Sequence, residues 1–125
     1  MRAIVIDEPG DENCMQIGDA PVPELRPGAL RIENHAAGVN RADLMQRRGM
    51  YPPPHGSSPL LGLECAGVVT EVAEGVAGFA VGDRVMALLP GGGYAAAKPQ
   101  RVTRGSDGVT YDPDQYDPDA NQRSR

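Results

Sequence analysis

Apolar and polar side chains alternate from Ala29 to Ala36, in the order Ala-Leu-Arg-Ile-Glu-Asn-His-Ala, the period-two pattern of a strand with one buried face. Arg2 to Ile6 is a second short β-prone run. Between them, Pro21, Pro23 and Pro27 bar a central strand or a helix, so 21–28 is expected to be an extended connector that turns at Pro27-Gly28. Gly62 to Ala73, rich in Val, Ala and Gly, reads as another strand, and so does Arg84 to Leu89 after the Gly82-Asp83 turn signal. One short helix is expected from Arg41 to about Arg48, stopped by Gly49. Asn40 is placed to cap it by accepting first-turn N–H groups, and Asp43 adds negative charge at the positive end of its dipole. Tyr51-Pro52-Pro53-Pro54 must then be extended, which holds the tyrosine on a stiff loop. Short strands separated by Gly/Pro turns, with one short helix, give a mainly β fold, a β-rich α+β barrel rather than a βαβ sheet.

The pattern changes near Ala95. Residues 111–125 contain no Val, Ile, Leu, Met or Phe and include the near-repeat Tyr111-Asp112-Pro113-Asp114 and Tyr116-Asp117-Pro118-Asp119. Such a segment cannot offset the entropy of ordering, so 1–95 is expected to be the folded domain and 96–125 a disordered tail. Asp112, Asp114, Asp117 and Asp119 lack the glycine and terminal glutamate of an EF-hand loop. Gly91-Gly92-Gly93 has neither the spacing nor the following helix of a dinucleotide fingerprint and reads as a turn.

Composition narrows the function classes. The 125 residues carry a net charge of −5, against the basic stripe that nucleic-acid binding needs. No apolar run approaches the length of a membrane span, and the start Met1–Ile6 meets Asp7 and Glu8 too soon for a signal peptide, so a soluble, cytoplasmic protein with no membrane partner is expected. Cys14 and Cys65 lie far apart and show no metal-ligand spacing, so both read as ordinary thiols. His35 and His55 read as surface or structural residues.

The segments Gly38-Val39-Asn40-Arg41-Ala42-Asp43-Leu44, Gly49-Met50-Tyr51-Pro52-Pro53-Pro54, Gly62-Leu63-Glu64-Cys65-Ala66-Gly67 and Gly82-Asp83-Arg84-Val85 together resemble the N-terminal domain of the medium-chain dehydrogenase/reductase superfamily. The match runs over roughly residues 1 to 95 and is to the zinc-free quinone oxidoreductase branch, in particular the p53-inducible type. The resemblance implies a GroES-like, partly open barrel. It also implies an intact enzyme that moves hydride from NADPH to a quinone or a conjugated carbonyl (enone). Zinc-dependent relatives carry a cysteine ligand at the Asn40 position and a histidine at the Leu63 position just before Glu64, so no zinc is expected here.

The same resemblance puts Asn40 beside the nicotinamide, a role compatible with capping, and Tyr51 in the acceptor cleft, where simple packing is the competing reading. Asn40 and Tyr51 are thus the candidate catalytic and cofactor-binding residues. Glu64 is a weaker candidate, since a rim ion pair with Arg41 or Arg84 would equally account for it. The nucleotide-binding Rossmann domain has no counterpart in these residues, so the chain alone is expected to bind no NADPH and to be inactive. Oligomerisation is left open, because the family commonly dimerises through that part. The rival readings are a non-catalytic GroES-like binding or assembly module and a functionless gene fragment.

Overall fold

The computed structural model describes the backbone of residues 1–101, 103–104 and 110–111, and side chains through residue 96. Strands β1 (Arg2–Ile6) and β2 (Met15–Asp19) form an antiparallel pair joined by a 3-10 turn at Glu12–Cys14. The larger sheet contains β3 (Ala29–Ala36), β4 (Glu64–Val72), β5 (Arg84–Leu88), β6 (Ala97–Arg101), β7 (Thr103–Arg104) and β8 (Thr110–Tyr111), in the order β6-β3-β4-β5-β8-β7. Helix α1 (Arg41–Arg47) lies between β3 and β4. Among the described residues the architecture is the expected mainly β one, with open sheets and one helix.

The alternation read from the sequence is realised as burial. Leu30 and Ile32 on β3 and Cys65, Gly67 and Val69 on β4 point inward, because successive strand residues face opposite sides. Ile32, Cys65, Ala87 and Leu89 form one apolar cluster. The β3–β4 register slips twice, between Arg31 and Ile32 and between Asn34 and Ala36, and such bulges increase strand twist and bend a sheet toward a barrel. The small sheet is fastened to the large one: the Ile4 N–H donates to the Tyr94 carbonyl at 3.0 Å and the Ala96 N–H to the Arg2 carbonyl at 2.9 Å.

β2 was not legible in the sequence. Its Gly18 lies against Val5, whose Cγ2 would come within 2.7 Å of any Cβ there, so this glycine is a packing requirement across the β1–β2 pair. Pairing also continues past residue 95, where the change in composition suggests a boundary: β6 runs antiparallel to β3 from Glu33↔Ala97 to Ala29↔Arg101. Pro99 is compatible with that strand because β6 is an edge. The rest of the expected tail, 102, 105–109 and 112–125, lies outside the described residues.

Candidate functional site

Asn40 caps α1 as expected, and Asp43 closes the cap from the other side. Asn40 and Asp43 form a capping box, in which the Asn40 backbone N–H donates to Asp43 Oδ2 at 2.8 Å. The Asp43 N–H faces Asn40 in return, donating to its backbone carbonyl at 3.0 Å, with the Asn40 side chain as the second half of the box. Asp43 is only 2% exposed. Its Oδ1 accepts the Gly62 N–H at 3.1 Å and its Oδ2 the Tyr94 hydroxyl at 2.9 Å.

The segments that reach Asp43 are bound to each other. The N–H groups of Gly92, Gly93 and Tyr94 donate to the carbonyls of Leu60, Gly62 and Leu61 at 2.7, 2.9 and 3.0 Å. Gly62 has φ +103° and backs onto Gly93, whose Cα would lie 2.6 Å from a Cβ at residue 62. Side chains are excluded from this joint. From the other side, the Asn34 amide donates to the carbonyls of Ala95 at 2.7 Å and Gly93 at 3.2 Å. The Tyr94 phenol is pushed well above its ordinary value, first by burial, then by its hydrogen bond and charge interaction with Asp43, then by Glu64. It stays a proton donor through the neutral range.

Glu64 pairs with neither Arg41 nor Arg84; among the described residues the ion pair is Arg31–Glu71. Its carboxylate instead lies over Gly38, in the space a Cβ at that residue would need. Ala36–Gly38, Glu64–Ala66 and Met86–Leu88 line a cleft of about 430 Å³. Glu64 is the one charged side chain in this apolar lining.

The model of the alcohol dehydrogenase GroES-like domain family matches residues 26–109. The chain belongs to this family. Solved GroES-like relatives include the human synaptic vesicle membrane protein VAT-1 homolog-like protein, with TM-score 0.73 and 35% identity over 81% of this chain and 33% of that one. Another is the Escherichia coli quinone oxidoreductase complexed with NADPH, with TM-score 0.67 and 31% identity over 79% of this chain and 30% of that one. Among curated proteins, the pikromycin polyketide synthase component PikAII of Streptomyces venezuelae is 43% identical over 82% of this chain and 3% of its own length. The chain is thus a medium-chain dehydrogenase/reductase domain that spans about a third or less of these relatives.

Within the GroES-like domain, Asn40 lies two residues beyond the cleft-lining Gly38. Tyr51 follows the opposite end of α1 and is 46% exposed. No hydrogen bond links it to Asn40. Helix α1 ends where Gly49 takes φ +77°, as its stop signal implied. His35 and His55 are exposed. Among the described residues no three His, Cys, Asp or Glu side chains converge as a metal site would require. Sequence reasoning missed Tyr94 and the joining role of Asp43. The signal available was the Asn-x-x-Asp spacing, which marks a capping box without saying what else the acid holds.

Proposed function

We propose that this domain forms the acceptor side of a zinc-free, NADPH-dependent reductase that transfers hydride to a quinone or a conjugated carbonyl. One observation carries the reading: Asn40 stands two residues from Gly38, which lines an apolar, small-residue cleft, in a chain similar to a quinone oxidoreductase solved with NADPH. Asn40 and Leu63 stand where zinc-dependent relatives carry ligands, which supports a metal-free site.

The cleft suits an uncharged ring. Its lining offers no cation for phosphates, and its one charge, Glu64, is negative. The described residues therefore fit the nicotinamide end of the cofactor, and the phosphate-bearing part belongs with sequence that the similar reductases have beyond these 125 residues. When bound, the nicotinamide supplies hydride, and a proton from solvent completes the hydroquinone. The Asn40 amide donates to a ring carboxamide or an acceptor carbonyl. Tyr51 offers a ring face and a hydroxyl donor to the acceptor. The small side chains of the alanines at 36, 37 and 66 leave room for a flat ring.

No described helix is long and apolar enough to cross a membrane. The test is a titration of the isotopically labelled chain with tetramethyl-1,4-benzoquinone, followed by NMR, beside a turnover assay with NADPH. Shifts centred on Asn40, Tyr51 and the cleft, with no turnover by the chain alone, are expected. Quinone reduction by the purified chain would overturn its inactivity, and shifts elsewhere would overturn the site.

A further inference from the structure

We propose that Asp43 is the positioning residue of this site: by gathering the Asn40 N–H, the Gly62 N–H and the Tyr94 hydroxyl on one buried carboxylate, it fixes the Asn40 backbone relative to the cleft wall at Gly38. The proposal rests on the reading of Asn40 as a ligand-facing residue. A helix cap needs the first of those three bonds only. The other two come from segments 19 and 51 residues away in the chain, and both belong to the glycine joint that borders Glu64. Three short donors converge on a carboxylate that is almost completely desolvated, and among the described residues no basic side chain forms an ion pair with it.

Charge-assisted hydrogen bonds in such surroundings are strong and directional. The geometry transmits to the cleft by a second route. The Tyr94 oxygen lies 3.3 Å from the Gly38 carbonyl, so the phenol spans Asp43 and the chain segment that forms one wall. With a single proton to give, the hydroxyl favours the shorter, charged acceptor. The 38–40 segment is therefore held at Asn40 by the carboxylate, with the phenol oxygen lying against the Gly38 carbonyl.

The experiment uses the full chain and two variants, Asp43→Asn and Tyr94→Phe. The first is isosteric but replaces an acceptor oxygen by an N–H₂ donor, so the three incoming donors cannot all be met. The second removes only the phenol's bond. Amide hydrogen exchange is read at Asn40 and Gly62, with Ile32 and Val69 as core references, and affinity is read with tetramethyl-1,4-benzoquinone, which has no ring hydrogen for a thiol such as Cys65 to displace. In Asp43→Asn, exchange at Asn40 and Gly62 should accelerate about tenfold or more with the references unchanged, and quinone affinity should fall about fivefold or more. Tyr94→Phe should move both in the same direction by less, and it decides the matter on these criteria if Asp43→Asn does not fold. Affinities within about twofold of wild type in the folded variants would overturn the positioning role alone. Equal acceleration at Ile32 and Val69 would overturn it too, by making Asp43 a general fold determinant. Asn40 resonances unmoved by the quinone in the wild type would sink the acceptor reading itself, and the positioning role with it.

Discussion

The Tyr94 hydroxyl and the Asn40 backbone N–H meet on one oxygen, Oδ2 of Asp43, at 2.9 and 2.8 Å. A phenolate at Tyr94 would face that carboxylate at hydrogen-bond distance with no proton between them, and the native state resists ionisation for that reason as well as for burial. The unfolded chain ionises its tyrosines near pH 10, about their unperturbed value. Because the folded value is raised, the associated stability is fully present below about pH 10 and is lost as pH rises from there toward the folded value. Urea unfolding followed by circular dichroism should show stability falling above about pH 10 more steeply in the wild type than in Tyr94→Phe. Parallel curves for the two proteins would contradict this account.

The contact of Gly62 with Gly93 predicts a contrast between two glycines of similar backbone conformation. Gly82→Ala, at φ +96° with open space around it, should cost about 1–2 kcal/mol of left-handed strain. Gly62→Ala, at φ +103° with backbone atoms 2.6 Å from the new methyl, adds a clash that the joint cannot absorb and should cost about 3 kcal/mol or more. Thermal midpoints should separate the variants by about 4 °C or more, and equal midpoints would mean that the joint is looser than described.

Asn34 donates to two carbonyls, those of Gly93 and Ala95. An aspartate there would aim a carboxylate at both. Asn34→Asp should lose about 2–4 kcal/mol near neutral pH. Part of that loss should return as the solution is acidified and the new carboxyl gains a proton to donate. A pH-independent penalty between Asn34→Asp and wild type would refute the donor role.

Under the proposed function, Asn40→Ala and Tyr51→Phe should each weaken quinone binding by about three- to tenfold, the loss of one hydrogen bond. Tyr51→Phe should not move the unfolding midpoint appreciably, since Tyr51 is exposed, and Asn40→Ala should cost no more than the ~1 kcal/mol of a helix cap. A large stability loss with unchanged affinity would reassign both residues to packing.

Local rules served well where local physics decides. The alternation in Ala29–Ala36 became β3 with the same bounds, Arg2–Ile6 became β1, and Gly49 ended α1 through its positive φ. They failed where long-range packing decides. β2 is a polar five-residue strand whose glycine makes sense only against Val5. Glu64 has arginines available in the sequence, yet its carboxylate lies over Gly38, a contact no spacing rule anticipates. The Asn40–Asp43 pair was visible as a motif. Which of the two would be buried depends on Tyr94, 51 residues beyond Asp43.

The fastening of β1 to residues 94–96 has a consequence for synthesis on the ribosome. Arg2 and Ile4 emerge well before the chain they bond to, Tyr94 and Ala96, which follows some 90 residues later, roughly 5–20 s at ordinary elongation rates. In that interval β1 has β2 alone for company, and a two-stranded hairpin is marginal in water. The nascent β1–β2 pair therefore waits with an unprotected strand edge, open to capture by a chaperone or by another nascent chain, until residues 94–96 arrive.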